Sequence, residues 1–205
     1  MKVLDVIRQS IAEFCRTFAE HPYLCYTEHG QHALFYTRLY NALSPEQRYT
    51  TWHGQKTCVI QKEYPTAGDL GKPRRQHWDI AVLKTPPESL VTESAYDYLK
   101  LAAVIEFGMN ESKKHLVEDL RRLCHADANL SQGFVVHLYR LSAPGDLFSK
   151  RDWMSGSKRI LSPQQVAELA ADIPIEVYYA LADSTGRYAP GVWRIQNGTV
   201  TTLSQ

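Results

Sequence analysis

At 205 residues, with 44% apolar and 22% charged residues, the chain has the make-up of a well-buried globular protein and not of a disordered segment. A net charge of +1 excludes a globally basic protein that coats nucleic acid, so any such contact must come from a local patch. No apolar run approaches the ~20 residues of a membrane span, and Cys15, Cys25, Cys58 and Cys124 show no CxxC spacing. Met1-Lys2-Val3 has no signal-peptide character, so a reduced cytoplasmic protein with free thiols is expected.

Leu4, Ile7, Ile11, Phe14 and Phe18 recur every three or four residues and predict an amphipathic helix that ends before Pro22. A second helix is expected over residues 24–43, with a stripe of Leu24, Glu28, Gln31 or His32, Phe35, Leu39, Ala42 and Leu43. That phasing sets the Glu28 carboxylate on the apolar face, where it must be paired or serve a site. Cys25, His29 and His32 lie beside it; with no second Cys or His pair at finger spacing, they read as polar neighbours at an entrance rather than structural zinc ligands. Residues 50–52 and 57–61, either side of Gly54, predict a hairpin, and 65–73 a Gly- and Pro-rich loop.

The richest stretch is residues 76–123. Two apolar strand-like runs each carry one acid, Asp79 in residues 78–83 and Glu106 in residues 101–107. Burying an acid at the end of such a run is costly without a cation, so two on consecutive strands point to a shared divalent metal. Lys72, Arg74 and Arg75 just ahead of Asp79 suit a phosphate backbone or an ordinary solvated loop, and His77 and Trp78 suit substrate contact or packing. Pro86-Pro87 forbids a continuous helix over residues 84–98, and Glu88, Glu93 and Asp97 there read as solvated acids. A helix is expected next, with Asn110 as N-cap and Leu116, Leu120 and Leu123 as its stripe; one turn earlier the stripe meets Lys113. A strand over 134–141, a long irregular segment over 142–160, a short helix opening at Ser162-Pro163 and strands over 175–181 and 191–195 complete the chain.

An acid on one strand, a Glu on the next and an amphipathic helix after it resembles the PD-(D/E)xK nuclease superfamily, over roughly residues 23–140. The resemblance implies α/β class: a restriction-endonuclease-like three-layer α/β/α core with a mixed central sheet, N-terminal helices over 1–43, a core over 50–140 and additional strands over 141–205. By the same resemblance Glu28, Asp79 and Glu106 would bind Mg²⁺ or Mn²⁺ for phosphodiester hydrolysis of DNA or RNA, DNA being favoured. Lys72, Arg74, Arg75 and His77 would contact substrate, and a homodimer would be an ordinary assembly. The motif lysine is replaced by Gly108. Lys113 is the expected migrated lysine, with Lys84 and His115 behind it. The alternatives are a catalytically inactive relative that binds nucleic acid or protein, and an unrelated α/β protein whose two strand acids point to opposite faces.

Overall fold

The computed structural model describes residues 1–25, 27–72, 74, 76–90, 98–143 and 160–203. The first helix, α1 (Val3–Glu20), buries Val6, Ile7, Ile11, Phe14 and Phe18 along one face and stops two residues before Pro22. Helix α2 (Glu28–Ala42) starts later than its stripe predicts, with Thr27 as N-cap: the Gly30 amide donates to Thr27 Oγ1 at 3.0 Å. Leu24 is accordingly outside the helix and exposed, and the buried stripe is Gln31, His32, Phe35 and Leu39. Phe14, Phe35 and Phe107 meet with ring centroids 5.3–5.8 Å apart, locking α1, α2 and the sheet together. Each such ring contributes about 1.5–3 kcal/mol by leaving water.

A single turn, α3 (Pro45–Arg48), leads into a two-stranded hairpin, β1 (Tyr49–Trp52) and β2 (Gln55–Cys58). The expected strand over 57–61 is split at Val59, and its second part begins β3 (Ile60–Pro65). Next come β4 (His77–Leu83) and a small hairpin of β5 (Ser89–Leu90) with β6 (Tyr98–Leu99), which the prolines concealed. Strand β7 (Leu101–Met109), helix α4 (Lys113–Leu123) and strand β8 (Gly133–Leu141) form a parallel crossover unit. Ser112, not Asn110, caps α4; Asn110 instead turns the end of β7 with φ 57° and accepts the Arg140 amide at 2.7 Å. Helix α5 (Pro163–Leu169) opens with the Ser162 capping box, and β9 (Ile175–Asp183), β10 (Gly191–Gln196) and β11 (Thr199–Thr202) follow. The last of these lies beyond the strands expected from the sequence. The irregular segment is described only at 142–143 and 160, so its Lys150, Arg151, Lys158 and Arg159 lie outside the described residues, as do Glu93 and Asp97.

The main sheet is seven-stranded and mixed, in the order β11-β10-β9-β8-β7-β4-β3, with β7, β8 and β9 parallel and the outer pairings antiparallel. Helices α1 and α2 pack with Ile80, Ile105, Phe134 and Val136 on one face; α4 and α5 pack with Val104, Val135, Val177 and Tyr179 on the other. The architecture is three-layer α/β/α. Double coverage explains why β7, β8 and β9 are almost wholly buried and read as continuous apolar runs. The fully buried Glu176 of β9 stitches the layers: Oε1 accepts from Arg8 Nε and Nη2 of α1 at 2.8 and 2.7 Å, and Oε2 from Arg194 Nε of β10 at 3.0 Å. A charge buried this deeply is tolerable only when paired on both oxygens.

Candidate metal centre

Strand register assembles a row of acids. Lys62 pairs with Ile80 and Tyr64 with Trp78, which sets Glu63 across from Asp79. Ile80 pairs with Ile105, which sets Asp79 across from Glu106. Asp79 and Glu106 therefore do not point to opposite faces of the sheet: Asp79 Oδ2 accepts the Phe107 amide at 2.8 Å, and the Asp79 carboxylate lies close enough to act on that of Glu106. Glu28, the first residue of α2, reaches the end of β7, where its Oε2 accepts the Met109 amide at 3.0 Å. Helix α2 is held for this by the loop before it: Arg140 Nη1, on β8, donates to Pro22 O at 2.7 Å, and Gln31 Nε2 donates to Cys25 O at 2.6 Å. Structure thus brings Glu28, Asp79 and Glu106 to one end of β7.

Helix α4 closes this centre from the opposite layer. Asp119 is buried, with Oδ2 3.0 Å from His115 Nδ1, while Arg122 Nη2 lies 3.2 Å from Glu106 Oε1 and 2.7 Å from the His77 carbonyl it donates to. Arg122 also lies over the Trp78 ring, 5.0 Å from its centroid. Burial pushes Glu106 well above the usual carboxylate range, Asp79 adds to the rise, and Arg122 opposes it. Glu28 is raised by burial against the Met109 amide, and Asp119 by burial against His115. His115 is raised, first by the Asp119 carboxylate. The position of the missing lysine is crowded: a Cβ on Gly108 would sit 3.1 Å from His137 Nδ1 and 3.6 Å from His115 Nδ1. His137, paired with Gly108 across β7 and β8, is fully buried with neither ring nitrogen hydrogen-bonded, and burial pulls it down to about 3.

A second group adjoins the acids. His29 and His32 share the first turns of α2, and with Glu63 of β3 they present ligand atoms all within 4.8 Å of one another. Two imidazoles and a carboxylate at this spacing are able to hold a divalent metal ion. His32 is 1% exposed, neither ring nitrogen is hydrogen-bonded, and Nε2 lies 3.8 Å from Asp79 Oδ2, so the two groups touch. Burial lowers His32, which favours the neutral ring that a metal needs. Glu63 holds φ 52° in mid-strand, a left-handed conformation that costs a non-glycine residue about 1–3 kcal/mol. The reading of His29 and His32 as entrance residues alone is therefore too narrow, since Glu63 completes a ligand set.

The remaining expectations fare differently. Lys113 does not face the sheet: it is exposed on the first turn of α4, and the residue turned toward the centre is His115, with Asp119 and Arg122 below it. Lys72 is half-buried and paired with Glu118 at 2.7 Å, whereas Arg74 and His77 are exposed; Arg75 lies outside the described residues. Lys84 pairs with Glu88 at 2.5 Å and Lys100 with the same acid at 2.9 Å, so Glu88 is salt-bridged rather than merely solvated. Asp119 lies one residue before Leu120, beside the Leu116–Leu120–Leu123 stripe and not in it, and was passed over; Glu63, on a polar strand edge, gave no local signal. All four cysteines are free, and among the described residues no helix is long and apolar enough to cross a membrane. No protein-family model matches the chain, and comparison with curated proteins finds no match.

Proposed function

We propose that the chain is a non-cleaving protein of restriction-endonuclease-like fold, related to the PD-(D/E)xK nucleases, that binds nucleic acid at the ledge of Arg74 and His77 in front of β4. The observation that carries this reading is the 3.2 Å contact between Arg122 and Glu106. The acid that would serve a metal in that superfamily is buried and faced by an internal guanidinium. Gly108 supplies no lysine, and Lys113 is exposed away from the acids. Asp79 and Glu28 each have one oxygen taken by a backbone amide of β7, so the three acids are engaged in joining α2, β4, β7 and α4. Mg²⁺ demands near-ideal octahedral geometry, and carboxylates already fixed by β7 amides and faced by Arg122 are poorly placed to adjust to it.

A second reading, metal-dependent hydrolysis, is favoured by one observation: His115 stands beside the lysine position with Asp119 at 3.0 Å, the arrangement of an oriented base. Fluorescence anisotropy with labelled duplex DNA and RNA, run from low to high salt with and without Mg²⁺ or Mn²⁺, separates the two. The proposal expects salt-sensitive binding, weakened by Arg74→Ala, with the nucleic acid intact after long incubation. Cleavage that disappears in Asp79→Asn would overturn it in favour of hydrolysis. Absence of binding even at low salt would remove nucleic acid as the partner and leave a protein partner to be sought.

A further inference from the structure

We infer that His29, His32 and Glu63 form an open binding site for a borderline transition-metal ion of the Zn²⁺ class, with Asp79 as the carboxylate that orients His32. The argument begins with donor type. Two imidazole nitrogens and one carboxylate oxygen suit Zn²⁺, Co²⁺, Ni²⁺ or Fe²⁺, whereas Mg²⁺ and Ca²⁺ call for oxygen alone. Three protein ligands leave coordination positions for water or a bound group, as in sites that are not purely structural.

Placement supports the same conclusion. His29 and His32 are three residues apart, which puts both rings on one side of α2, and their centroids are 5.6 Å apart. Glu63 approaches from β3, a strand fixed in the sheet by its pairing with β4. Both elements are therefore rigid, and the ligand atoms already lie within 4.8 Å of one another. His32 supplies an independent sign of a ligand, because a ring this deeply buried with both nitrogens unbonded lacks what the interior normally requires. Asp79 Oδ2, 3.8 Å from His32 Nε2 and beyond hydrogen-bond reach as it stands, is the carboxylate that a small side-chain shift would bring onto the ring, the role carboxylates take behind metal-binding histidines. The competitor for Glu63 is Lys62, whose Nζ lies 3.0 Å from Oε1; that pair is exposed, and a metal displaces it readily.

The site stands on its own geometry and does not depend on nucleic-acid binding, so it is tested without nucleic acid. Isothermal titration of the full chain with Zn²⁺ and with Mg²⁺ is followed by Co²⁺ absorption spectroscopy. The expected result is one saturable Zn²⁺ site, no Mg²⁺ competition at a large excess, and a Co²⁺ spectrum without a thiolate charge-transfer band. His29→Ala and Glu63→Gln, both at exposed residues, are expected to abolish that site while leaving the circular dichroism and melting of the metal-free protein unchanged. Asp79→Asn is expected to weaken it about 10-fold or more. Zn²⁺ binding that survives His29→Ala, a thiolate band in the Co²⁺ spectrum, equal binding of Mg²⁺, or no saturable Zn²⁺ binding would each overturn the inference.

Discussion

Replacing His137 by leucine separates the cost of a buried imidazole from everything else at the end of β7. In the folded protein this ring is pulled down to about 3 by burial, with the charge of His115 acting in the same direction. In the unfolded chain it titrates near ~6.5. As pH falls the unfolded state takes up its proton first, so the contribution is fully retained above the unfolded value and lost progressively between about 6.5 and 3. Linkage over these two values gives a loss of about 2 kcal/mol between pH 7 and pH 5 from this residue alone. Glu28, Glu106 and Asp119, all raised, act with the opposite sign, but they are present in both proteins and drop out of the difference. Urea unfolding at pH 7 and pH 5 measures it: with an m-value of about 2 kcal/mol per molar, the wild-type midpoint should fall by about 1 M more than the variant's. At pH 7 His137→Leu should be no less stable than wild type to within about 1 kcal/mol, because it removes two ring nitrogens that have no partner. Equal pH dependence in the two proteins would refute the reasoning, since it would mean the ring keeps its proton inside the fold.

Two further outcomes follow from the same neighbourhood. Arg122→Ala leaves Glu106 buried without its guanidinium and should cost about 3–5 kcal/mol, whereas the paired change Glu106→Gln with Arg122→Met should recover most of that; chemical denaturation of the three proteins checks it. Gly108→Lys rebuilds the motif in sequence, yet its Cβ would press on His137 at 3.1 Å, so a loss of about 1–3 kcal/mol is expected in thermal melts, smaller when His137 is also cut back to alanine.

The elements that periodicity defines were legible: α1 from its heptad-like stripe, β4, β7 and β8 from apolar runs, α5 from Ser162-Pro163. What the sequence could not supply was phase relative to a neighbour. The stripe of α4 is Leu116, Leu120 and Leu123, and stepping back three residues meets Lys113. The face that overhangs the end of β7 is offset from that stripe and carries His115, Asp119 and Arg122 instead. For α2 the error came from Leu24, which has the right spacing but precedes the Thr27 cap. Glu63 was illegible for a different reason: it belongs to the centre only through register with β4 and proximity to α2, neither of which leaves a local trace. Asp79 and Glu106 were readable because an acid within an apolar run is anomalous wherever it occurs.

The Glu176 clamp has a consequence for how the chain matures. Its two arginines come from α1 and from β10, which flank nearly the whole described chain. During synthesis α1 precedes β9 and β10, so Arg8 meets its buried counter-charge only once residues 175–196 have followed, although Phe14 can already pack on Phe35 and Phe107. The β4–β7 pairing, by contrast, is complete much earlier. The clamp thus joins segments far apart in the chain, and removing β10 and β11 should loosen α1 before it disturbs the row of acids.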